Sequence, residues 1–139
     1  VTRRDQMERW DGSIPRGQHS KWREARAVKY YWNEQIKFDP EGRKRRIPAV
    51  KVPNGPMADR YDRARGIPLY DASKIKIPVL LIRGDHDRSS LDPEANGLFK
   101  ARTGSRGKSN IIMGDGTHFI QYEKRGEELY SQVQLFMEG

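Results

Sequence analysis

Apolar residues recur along this chain in two rhythms, and the change falls near residue 68. Before it, tryptophans and aliphatics stand at helical spacing in basic sequence. After it, short continuous apolar runs alternate with amphipathic stretches. Trp22, Ala25, Val28, Trp32 and Ile36 lie three or four residues apart, which predicts one helix with all five on a single face. Ser20 is its expected N-cap, and the Asp39-Pro40-Glu41-Gly42 turn ends it. Ahead of it, Thr2 to Trp10 reads as the end of a helix closed by Asp11-Gly12. Ile47 to Val52 reads as an extended stretch that Pro48 and Pro53 keep out of the centre of any sheet. Asn54-Gly55-Pro56 is a turn, and Met57 to Arg65 a short helix ending at Gly66.

From Ile77 to Ile82 the sequence is continuously apolar, as expected of a parallel strand covered on both faces, and it ends at Gly84-Asp85-His86-Asp87. Asp92 is placed to cap a helix with Pro93 at its first position, running to about Ala101. A Gly-rich polar loop leads to a second strand, Asn110 to Met113, which ends at Gly114-Asp115-Gly116-Thr117-His118. A closing helix, Glu123 to Met137, is expected to bury Leu129, Val133, Phe136 and Met137. Strand, helix, strand, helix with short connections specifies an α/β class with a right-handed βαβ crossover and a parallel sheet. Two strands do not make an independent sheet, so partner strands are expected from elsewhere.

In open parallel sheets, reactive groups gather beyond the C-terminal strand ends. Here the first strand offers Asp85, His86 and Asp87, and the second Asp115 and His118. A carboxylate on an imidazole Nδ1–H fixes the tautomer and leaves Nε2 free to accept a proton from a nucleophile. His86 and His19 are expected to be exposed, Asp115 to be a loop residue, and Trp10, Trp22 and Trp32 to be packing residues.

The stretch Lys76-Ile77-Pro78-Val79-Leu80-Leu81-Ile82-Arg83-Gly84-Asp85-His86-Asp87 resembles the acid-bearing strand of the α/β-hydrolase family. Gly116-Thr117-His118-Phe119 resembles its histidine loop, and the helix up to Phe136 its last helix. The resemblance implies that Asp87 is the acid and His118 the general base of a catalytic triad, with Asp85, two residues earlier in the pattern, the weaker match. It covers residues 70 to 139 and implies that residues 1 to 69 are the cap segment that such enzymes insert before this strand. It also implies hydrolysis of an ester, or of a related acyl or carbon–carbon bond, in a small-molecule substrate and without a cofactor. A carboxylate oxygen of Asp87 is then expected about 2.6–3.2 Å from His118 Nδ1.

The family's Gly-x-Ser-x-Gly nucleophile elbow, which precedes the acid in the chain, does not occur in this sequence. Gly104-Ser105-Arg106-Gly107 has another spacing and follows the acid, and Ser89 and Ser90 lack flanking glycines. The nucleophile and the oxyanion donors are therefore expected upstream of Val1, in a missing N-terminal half on the same or a separate chain.

Composition agrees with a partial core. Only 35% of residues are hydrophobic while 33% are charged, which is lean for an independent globular domain. The first residue is Val1, consistent with a start inside a longer polypeptide. There is no cysteine, which excludes disulfides and thiolate metal sites, and no H-x-x-x-H spacing or phosphate-cradling Gly-rich loop. No apolar run reaches the ~20 residues of a membrane helix, so a soluble cytoplasmic protein is expected. The net charge of +8 raises the question of nucleic acid. Much of its excess sits in Arg43-Lys44-Arg45-Arg46 and in Arg102 to Lys108, both in loop-like sequence without a nucleic-acid motif, which predicts solvated loops. A basic binding fragment that keeps the hydrolase shape without the chemistry is the alternative, and the presence or absence of the elbow upstream discriminates the two.

Overall fold

Thr2 opens the first helix, α1 (Arg3–Asp11), through a capping box. Its hydroxyl accepts the Asp5 amide at 3.2 Å, and Asp5 accepts the Thr2 amide at 2.7 Å. In this computed structural model, which describes residues 1–139, α1 is thus a complete nine-residue helix with its own start, not only the end of one.

The helix predicted from Ser20 to Ile36 is broken in two. One turn, α2 (His19–Trp22), is followed by extended backbone at Arg23 and Glu24, and α3 (Ala25–Lys37) begins there. Ser20 lies within α2 and caps nothing. The causes are tertiary. Arg23 is buried with its Nη2 and Nε donating to Asp11 Oδ1 at 2.6 and 2.9 Å, and the Trp22 carbonyl accepts the Lys124 amide at 2.8 Å. Trp22, Val28, Trp32 and Ile36 are buried as the stripe predicts, whereas Ala25 is exposed.

Asp39 caps the single turn α4 (Pro40–Arg43), accepting the amides of Gly42 and Lys51, each at 2.7 Å. Arg43 to Arg46 are exposed, as a solvated turn. The extended stretch that follows pairs with the N-terminus through the antiparallel bridge Thr2–Ala49. α5 (Gly55–Ala64) buries no residue and ends at Gly66, whose φ of +75° is the left-handed value glycine adopts freely.

The α/β part follows a 3₁₀ turn at Ala72–Lys74. It consists of β1 (Val79–Gly84), α6 (Asp92–Ala101), β2 (Lys108–Met113), a 3₁₀ turn at Ile120–Tyr122 and α7 (Gly126–Glu138). The strands are parallel, Val79 opposite Lys108 through Gly84 opposite Met113. β1 starts two residues later than its apolar run. Pro78 has no N–H to give the ladder, and the first strand bond is Val79 N–H to the Gly107 carbonyl, 2.8 Å. Asp92 is the first residue of α6 and not its cap, which is Leu91. Its carboxylate pairs instead with the buried Arg83 guanidinium.

With two strands present, Val79 to Ile82 are half-buried and not covered on both faces. α7 shows the same shortage of cover: Leu129 and Phe136 are half-buried, but Val133 is exposed and Met137 is 77% exposed. The predicted buried stripe of this helix is therefore only partly realised. Arg102, expected in a solvated loop, is buried, and its Nε and Nη2 have no partner. No helix is long and apolar enough to cross a membrane.

The apolar core joins the two parts of the chain. Trp10, Ile14, Trp22 and Val28 pack with Phe119 from the loop after β2, and Trp10 stacks on Phe119 with ring centroids 4.8 Å apart. All three tryptophans are buried packing residues.

Beyond the strand ends the two loops touch backbone to backbone. A Cβ added at Gly84 would lie 2.0 Å from the Gly116 carbonyl oxygen. Asp85 N–H donates to Met113 O and His86 N–H to Gly116 O, both at 2.9 Å, while Asp85 Oδ1 accepts the Gly116 amide at 3.2 Å. Gly84→Ala is expected to cost about 1–3 kcal/mol, the range for forcing extra volume into packed structure, because backbone and not a mobile side chain must give way. Denaturant titration against Gly55→Ala, where nothing lies within 4 Å of the added Cβ, measures it. Equal midpoints would show that the loops can part without cost.

Candidate active site

The loop contact brings Asp87 and His118 together across 31 residues of sequence. His118 Nδ1–H donates to Asp87 Oδ2 at 3.0 Å. The other carboxylate oxygen, Oδ1, accepts the amides of Ser89 and Ser90 at 2.7 and 2.9 Å. This is how an Asp two residues before a tight loop satisfies the loop's free N–H groups. The Asp87 side chain is 5% exposed and that of His118 39% exposed. His118 Nδ1 is thus committed to the carboxylate, and Nε2 has no partner within the chain.

Burial pushes the Asp87 carboxyl up. The bonds from His118, Ser89 and Ser90, together with the His118 charge, outweigh it and hold the group below the usual carboxylate range. A depressed folded value makes the charged form stabilising. Its contribution is full above the unfolded value of ~3.9 and is lost as the pH falls through the folded value. Asp87→Asn is therefore expected to flatten the acid limb of the stability-versus-pH curve while leaving its neutral region nearly level. Part of the limb should persist through Asp5, held down by its bonds with Thr2, and Asp39, held down by the Lys51 and Gly42 amides. Denaturant midpoints from pH 2 to 7 check this, and parallel curves for the two proteins would show that Asp87 is not ionically engaged.

Neighbouring residues fix the acid loop from several sides. Arg83 Nη1 donates to the carbonyls of Gly84 and Ser90 at 3.2 and 3.3 Å, and Arg9 of α1 donates to Ser89 Oγ at 3.0 Å. Asp85, the weaker candidate for the acid, turns to the Gly116 amide and does not meet His118. Asp115 is an exposed loop residue with φ +54°. His86 is solvent-exposed as expected, yet its Nδ1–H donates to Ser13 O at 3.2 Å and its ring lies edge-on to Trp22 at 4.8 Å. His19, expected to be exposed, is half-buried.

Two residues beside the histidine escaped the sequence reading. Thr117 is wholly buried, and Glu123, read as the start of the last helix, is a buried carboxylate three residues before it. Glu123 Oε1 accepts Thr117 Oγ1–H at 2.6 Å and Trp10 Nε1–H at 2.7 Å, and Oε2 accepts the Thr117 amide at 2.9 Å. Thr117 Oγ1 in turn accepts the Phe119 amide at 3.0 Å. An acidic residue just before a helix is an ordinary first-turn signal, so nothing local marked Glu123 as buried.

Comparison with known protein families, curated proteins and solved structures finds no match to this chain.

Proposed function

We propose that Asp87 and His118 are the acid and the general base of an α/β-hydrolase that cleaves ester or related acyl or carbon–carbon bonds, with the nucleophile supplied by residues outside this sequence. The observation that carries it is the 3.0 Å bond from His118 Nδ1 to a buried carboxylate whose other oxygen is held by two amides. A carboxylate fixed in this way selects the imidazole tautomer with a lone pair on Nε2. That nitrogen takes the proton of an attacking hydroxyl and returns it to the leaving group. Asp87 stabilises the imidazolium between the two transfers and is not itself protonated. The parallel strand pair, with both groups just past its C-terminal ends, fits where such sheets carry their chemistry. Residues 1–69, packed against both loops through Trp10, Trp22 and Arg9, fit a cap that bounds a small-molecule site.

The test is release of p-nitrophenol from short acyl esters by a polypeptide that carries these residues together with the upstream sequence. Hydrolysis above the buffer rate, blocked by a fluorophosphonate that modifies one serine upstream of Val1, is the expected result. No turnover of ester, amide or carbon–carbon substrates, and no Gly-x-Ser-x-Gly elbow upstream, would favour a non-catalytic basic binding protein.

A further inference from the structure

We propose that Glu123 is a positioning residue for His118, tying the histidine loop to helix α1 through Trp10. The proposal rests on the hydrolytic role of His118 given above. A carboxylate this deeply buried needs several donors, and Glu123 has three, none of them a cation: the Thr117 amide, the Thr117 hydroxyl and the Trp10 indole. Two of them belong to the residue immediately before His118. The residue immediately after it is fixed by the same group at one remove, since Thr117 Oγ1 donates to Glu123 and accepts the Phe119 amide.

His118 therefore sits between two backbone positions pinned to one carboxylate. The Phe119 ring, stacked on Trp10, lies edge-on to the imidazole at 5.7 Å. The loop is also held at Gly116, by the His86 amide and the Asp85 carboxylate, but the amides on either side of His118 depend on Glu123. The bond to Asp87 restrains only the ring, and a ring on a mobile loop would meet Asp87 part of the time. Because Trp10 is 113 residues from Glu123, the N-terminal helix and the base of the reaction form one unit. Displacing α1 should misalign the imidazole.

Glu123→Gln isolates the effect. Its amide oxygen can accept from the Thr117 hydroxyl and the indole, but its NH₂ then faces the Thr117 N–H, donor against donor. The readout is the His118 imidazole in ¹H–¹⁵N spectra of histidine-labelled protein. Wild type should show a slowly exchanging Nδ1 proton shared with Asp87, and Glu123→Gln should broaden or lose it. Val28→Ala, which weakens the same core without touching the hydrogen bonds, should keep it. In the polypeptide that carries the nucleophile, Glu123→Gln should lower kcat by about 10- to 100-fold with KM changed by less than about 2-fold, as a misplaced base would. An unchanged Nδ1 signal in Glu123→Gln, or its equal loss in Val28→Ala, overturns the proposal while leaving the hydrolytic role standing. A wild-type spectrum without that proton overturns both.

Discussion

His118→Ala, in a polypeptide that carries the nucleophile, is expected to reduce turnover of a p-nitrophenyl ester by about 10⁴- to 10⁶-fold. On the role proposed for His118, that is the usual loss when a triad member is removed and only binding and the oxyanion hole remain. His118 is the one imidazole at the strand ends bonded to a buried carboxylate, so no neighbour can replace it. Asp87→Asn should cost about 10⁴-fold by a different route. Its Oδ1 can still accept the Ser89 and Ser90 amides, but its NH₂ then faces His118 Nδ1 and selects the wrong tautomer. His86→Ala, which leaves the Asp87–His118 pair intact, should change turnover less than about 10-fold, the loss of its Ser13 bond being a matter of stability. Each variant is compared at equal folded concentration. Near-normal turnover in His118→Ala, with abolition in His86→Ala, would move the base to the other histidine.

Trp10→Ala should be the most damaging change to stability, about 3–5 kcal/mol for an aromatic lost from a packed core. Trp10 is 1% exposed, stacks on Phe119, meets Tyr31 edge-on at 5.8 Å and supplies one of the three donors to buried Glu123. Domains have only about 5–15 kcal/mol in all, so unfolding at room temperature is within reach of this one substitution. Phe38→Ala, at a side chain 87% exposed, should stay within about 0.5 kcal/mol of wild type. Equilibrium denaturation followed by far-UV circular dichroism gives both values. A loss below about 1 kcal/mol in Trp10→Ala would show that the Trp10–Phe119 stack does not hold the two parts of the chain together.

Legibility of the fold varied with the range of the interaction that decides each element. The apolar run before Gly84 and the four buried members of the stripe from Trp22 to Ile36 were readable because neighbours in sequence share their environment. The break between α2 and α3 was not. The apolar spacing continues through it, and what interrupts the backbone is Asp11 on Arg23 and Lys124 on the Trp22 carbonyl. The excess of expected burial in α7 has a related cause. Period places Leu129, Val133 and Phe136 on one stripe, but how much of a stripe is covered depends on what lies opposite, and two strands cover only part of it.

The site divides in the same way. By themselves the residues determined that a carboxylate and an imidazole each follow a strand and a glycine, since strand length, apolar run and the conformational freedom of glycine are local properties. The resemblance already favoured Asp87 over Asp85, but the physical reason that Asp87 faces His118 lies in the tertiary structure. Gly84 and Gly116 approach closely enough for the Asp85 carboxylate to be taken by the Gly116 amide, which leaves Asp87, anchored on Ser89 and Ser90, to meet the ring. The tertiary structure alone made Glu123 a buried anchor and not a helix residue, because one of its three donors, Trp10 Nε1–H, stands 113 residues away. Pattern reaches as far as the next turn of the chain; a hydrogen bond between distant segments exists only once packing has brought donor and acceptor within about 3.2 Å.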